Sequence, residues 1–71
     1  MWVNIKGIMY NLEHYRKIYI KNIDKDWDQF PHHIVMVPTA GDLVVIKYNN
    51  IDERNDVYED IMNCLIPEEQ L

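Results

Sequence analysis

The strongest periodic signal in the chain lies near its end. From Asp52 to Leu65 the apolar residues fall at Val57, Tyr58, Ile61, Met62 and Leu65, the spacing of one helical face. Glu53, Arg54, Asp56, Glu59 and Asp60 fall mainly on the opposite face. Asn50 and Glu53 stand at the N-cap and N3 positions of a capping box, with Asp52 as an alternative cap. Glu53 and Asp56 lie in the first turn, where the helix dipole favours negative charge, and Pro67 stops the helix.

Ahead of the helix the period changes. Ile34-Val35-Met36-Val37 and Leu43-Val44-Val45-Ile46-Lys47-Tyr48 are β-branched and apolar, and read as strands. The five residues Pro38-Thr39-Ala40-Gly41-Asp42 between them suit an antiparallel hairpin. Trp2 to Lys6 alternates, with Val3 and Ile5 on one side and Trp2, Asn4 and Lys6 on the other. Gly7 allows a turn or bulge, after which Ile8-Met9-Tyr10 resumes a strand. Tyr15 to Asn22 alternates too: Ile18 and Ile20 take one face, Tyr15, Lys17, Tyr19 and Lys21 the other. Asn22 to His33, rich in Asp and ending in Pro31, reads as a loop. Strands first and a helix last predict an α+β domain spanning 1–71, a small antiparallel sheet of three to four strands with the C-terminal helix packed on one face.

Composition narrows the class without naming a function. In a chain of 71 residues, only roughly 60% of the surface exposed by the unfolded form is buried on folding, so the margin of stability is thin. Cys64 is the lone cysteine, which excludes a disulfide within one chain. That lone thiol and a polar start without a secretory apolar region point to a reducing, cytoplasmic setting, and no apolar run is long enough for a membrane span. The net charge of −5 is unevenly placed. Residues 1–51 carry six bases against five acids, whereas 52–71 carry Arg54 alone against seven acids.

The residue types for chemistry are sparse. Cys64 with His14, His32 or His33 supplies a thiolate and a base in principle, but Cys64 sits beside the apolar stripe of the helix, where thiols are usually inert. No nucleophile elbow, phosphate-binding glycine loop or paired catalytic carboxylates appear, so the reading is non-enzymatic. Asp24, Asp26 and Asp28 open like a calcium-binding loop, yet Gln29 replaces the glycine and Val35 stands where the closing glutamate belongs. His32-His33 without further ligands is a weak metal signal. No metal or cofactor is expected.

Surfaces are more informative. Tyr15, Lys17, Tyr19 and Lys21, with Trp2 and Lys6 beside them, interleave rings and cations as single-stranded nucleic acid requires, although Tyr and Lys are also ordinary on exposed sheet faces. Trp2, Trp27, Phe30 and the tyrosines exceed what a core under one helix hides, which favours a protein contact, with Trp27 and Phe30 as core plugs the alternative. The acids of the last 20 residues suit mimicry of a nucleic-acid backbone, or simply a solvated helix face. From Met36 to Tyr58, strand, glycine-containing hairpin and following helix, the chain resembles in arrangement the flagellar-operon FlbD-like proteins, a likeness that carries no residue role. The expectation is a small interaction or self-associating module contacting another protein or a second copy through Trp2, Tyr15, Lys17, Tyr19, Trp27 and Phe30. A nucleic-acid-binding sheet and an acidic inhibitor are the alternatives.

Overall fold

A computed structural model describes residues 1–65. Its elements run β1 (Trp2–Ile5), β2 (Ile8–Asn11), a 3₁₀ turn (Leu12–His14), β3 (Tyr15–Asn22), β4 (His32–Pro38), β5 (Val44–Tyr48) and α1 (Ile51–Leu65). The α+β class is as expected, with all strand pairs antiparallel, but the strands divide into two sheets: β1-β2, and β3-β4-β5 with β4 in the middle. The helix stop assigned to Pro67, and the acids Glu68 and Glu69, lie outside the described residues. No helix among the described residues is long and apolar enough to cross a membrane.

Local chemistry accounts for the turns. Ile5 pairs with Ile8 across the two residues Lys6 and Gly7, both at positive φ (53° and 84°). Positive φ at both central positions is the hairpin turn whose twist matches that of its strands, and Gly7 takes its place at no steric cost. Asn4 Oδ1 accepts from the Gly7 N–H at 3.0 Å and secures the turn. At the helix start Asn50 is the cap: its Oδ1 accepts from Asp52 and Glu53 N–H, at 2.8 and 3.2 Å.

The core lies between one face of the three-stranded sheet, α1 and the inner side of the β1-β2 hairpin. Ile34, Met36, Ile46 and Tyr48 from β4 and β5 meet Ile61 of α1, together with Ile5 and Leu12. Since Ile18 pairs with Met36 and Ile20 with Ile34, this face of β3 also looks towards α1. The helix packs on β4, β5 and β1. Ile20, at the edge, therefore stays exposed.

The sequence implies a strand over 34–37 only, but β4 runs His32–Pro38 and takes in two residues of the expected 22–33 loop and the first of the expected connection, and two side chains sit on unexpected faces. Tyr15 pairs with Pro38 but Lys17 with Val37, so one extra residue, Arg16, is inserted in β3. That bulge breaks the alternation and turns Tyr15 to the core side, edge-on to Tyr10 with ring centroids 6.4 Å apart. Arg54, assigned to the solvent face, is 2% exposed. Its Nη1 donates to Asn22 Oδ1 at 3.0 Å and reaches the Lys21 and His33 carbonyls, while Nε donates to Asn55 Oδ1 at 2.7 Å. These bonds tie the first turn of α1 to the ends of β3 and β4.

Candidate functional site, an open strand edge beside an apolar groove

Among the described residues, the register shows which backbone groups lack a strand partner. The Ile23 N–H donates to the Pro31 carbonyl at 2.9 Å, just past the Asn22–His32 pair. Because hydrogen-bonded pairs alternate along an antiparallel ladder, Lys21–His33 and Tyr19–Val35 are bonded pairs as well. His33 and Val35 thus spend their backbone groups on β3. Their partners across β5, Lys47 and Val45, point N–H and C=O away from β4 to the open edge. One of these groups is already taken: Lys6 Nζ donates to the Lys47 carbonyl at 2.6 Å and lies 4.3 Å from the centre of the Tyr48 ring.

Beside this edge runs a groove of about 400 Å³. Ile5, Lys6, Ile8 and Tyr10 of the first hairpin form one side, Val45, Ile46 and Lys47 of β5 form another, and Phe30 stands over it. Ile8 (56%), Val45 (43%) and Phe30 (43%) leave much of their surface in water. An apolar trough next to unpaired strand amides is the arrangement that accepts an added strand: main-chain bonds hold it, and the trough receives alternate side chains.

Phe30 is placed by the loop between β3 and β4. Asp24 Oδ1 accepts from the Asp26 N–H and Asp28 Oδ1 from the Phe30 N–H, both at 2.9 Å, so these two aspartates build turns. Asp28 Oδ2 takes a 2.9 Å bond from Lys47 Nζ and lies 3.7 Å from His33 Nε2, while His33 Nε2 donates to the Phe30 carbonyl at 2.8 Å. The Phe30 amide, then the Lys47 ammonium, hold the Asp28 carboxyl below its usual pKa. The loop is thereby clamped to the outer sheet face. Among the described residues, no group of three His, Cys, Asp or Glu side chains stands close enough to hold a metal.

The expected contact residues do not converge. Phe30 lines the groove. Lys17 and Tyr19 sit on the outer sheet face, with the Lys17 ammonium 5.0 Å from the centre of the Tyr19 ring. Tyr15 is turned inward, and Trp2 projects from the hairpin side opposite Val3 and Ile5. Trp27 is 85% exposed, which removes it as a core plug. Ile8, Val45 and Lys47 went unmarked in the sequence, and Lys6 was marked only as a cation beside the Tyr and Lys row; the usable signal was Lys6-Gly7, a two-residue turn that sets Ile5 against Ile8.

Cys64 is half-buried against the core, as its place beside the apolar stripe implied. Tyr48 is buried with its hydroxyl unpaired among the described residues, and burial, then Glu53 and Tyr10, raise its pKa. No protein-family model, curated protein or solved structure matches this chain, so the likeness in arrangement over 36–58 brings it no residue role and no activity.

Proposed function

We propose that the protein is a non-enzymatic interaction module that takes up an extended segment of another protein along the free edge of β5. The observation that carries this reading is the coincidence of the Val45 N–H and C=O and the Lys47 N–H, without a strand partner among the described residues, with the apolar groove walled by Ile8 and Phe30. A bound strand would bond to the Val45 N–H and C=O and cover side chains now left in water, gaining about 25 cal/mol for each Å² of apolar surface removed from it. The lone thiol of Cys64 supports a reducing compartment such as the cytoplasm. Nucleic-acid binding ranks below because the row of rings and cations is interrupted: Tyr15 faces the core and Lys17 already lies over Tyr19.

Selection from a displayed library of random peptides tests the reading. Binders are expected to be extended and apolar at alternate positions. Val45→Pro removes the outward N–H without touching the β4 ladder, a change that edge strands tolerate, and should abolish binding while the fold persists. Ile8→Asp, at an exposed position, should weaken it at least tenfold. Binding that survives both substitutions would refute this site.

A further inference from the structure

The acids of α1 and the exposed lysines of β3 lie on opposite sides of the molecule, and the loop clamped to the sheet side adds exposed Lys25 between Asp24 and Asp26. The core lies between α1 and the sheet, so the outward side of the helix and the outer sheet face point in opposite directions. The exposed side of α1 carries Asp52, Asp56, Glu59 and Asp60 and no base, because Arg54 is buried. The outer sheet face carries Lys17 and Lys21, exposed and without a carboxylate partner among the described residues, around Tyr19. Lys47, on the same face, is neutralised by Asp28.

We propose that the outer sheet face docks the acidic side of α1 from a second copy, so that molecules associate head to tail. Charge complementarity selects this occupant, and the dimensions agree. Lys17 and Lys21 are four strand residues apart, about 13 Å. Asp52 to Asp60 spans two helical turns, about 12 Å. The obvious symmetric alternative, β3 paired antiparallel with β3 of another copy about Tyr19, sets Lys17 against Lys21 and is disfavoured by like charges directly opposed. A head-to-tail contact leaves a free pole at each end, so association continues past the dimer. The inference rests on the reading of the chain as an interaction module but uses a different surface from the β5 edge.

Sedimentation equilibrium of the purified chain tests it. At ~0.1 M salt, where the screening length of ~10 Å spares contacting charges but damps the repulsion between copies of net charge −5, the average mass should rise with concentration. At ~1 M salt, with screening at ~3 Å, it should fall to that of the monomer. Lys17→Glu with Lys21→Glu, and separately Asp56→Lys with Asp60→Lys, should each be monomeric alone and associate when mixed. All four sites are exposed, and circular dichroism checks each variant's fold. A monomeric wild-type chain, association indifferent to both reversals, or no rescue on mixing overturns the proposal. If the wild type is monomeric yet binds polyglutamate through Lys17 and Lys21, the occupant is a foreign acidic chain and the second copy is rejected. Peptide binding at Val45, measured in parallel, stands or falls separately.

Discussion

Arg54 concentrates the competing energies at the residue scale. Burying a guanidinium costs several kcal/mol, and here only neutral oxygens answer it among the described residues. Asn22 and Asn55 are exposed enough for water to replace it, and the two carbonyls are already close to the strand ladders. Lost bonds and recovered desolvation should therefore nearly cancel. Arg54→Met, which keeps the packing of the stem, is expected to change stability by less than about 1 kcal/mol, whereas Arg54→Ala should cost about 3 kcal/mol through the void it leaves. Urea unfolding of both decides the matter, and equal losses would show that the polar links dominate. Asp28 gives the pH dependence. Its folded pKa is depressed, so its stabilisation is present above the unfolded value of about 3.9 and is lost as pH falls through the folded one. Acid titration of the wild type against Asp28→Asn should show a difference near neutrality that vanishes at low pH; curves that stay parallel would disprove the clamp.

At the scale of elements, the first hairpin depends on its turn. Gly7 has open space where a Cβ would stand, so Gly7→Ala pays only for the left-handed backbone, about 1–2 kcal/mol, while Gly7→Asn should cost less because Asn tolerates that region. Thermal unfolding of the two variants checks the ranking. The helix was legible from the period of its apolar residues, and the second hairpin from two β-branched apolar runs on either side of a connection containing Pro and Gly. The inserted Arg16 was not: alternation predicts a regular strand, and only pairing with Val37 and Pro38 shows that one residue is extra. Arg54 misled for a related reason. Its position faces the sheet, and its charge argued for solvent until Asn22, from a distant strand, supplied an acceptor. The division into two sheets was equally hidden, since strand neighbours are chosen by non-local pairing. The same blindness covered the site, because whether Val45 lies on an edge or in a sheet centre depends on what pairs with β5.

At the scale of the molecule, the described residues form a helix layer and a sheet layer joined by one core, measuring 42 × 29 × 21 Å. Three strands give the larger sheet two free edges. Lys17, Lys21 and the bulge guard β3, the usual protection against unwanted pairing. β5 is protected differently, by Lys6 on the Lys47 carbonyl, and Val45 is left open beside the groove. That contrast is the basis for assigning partner binding to β5. Amide hydrogen exchange of the free protein, repeated with a selected peptide, measures it most directly. Ile46, bonded to β4, should exchange slowly in both states, whereas Val45 and Lys47 should exchange fast in the free protein and be protected when the peptide binds. Slow exchange at Val45 in the free protein, or a bound peptide that leaves it unprotected, would rule out the β5 edge as the binding site.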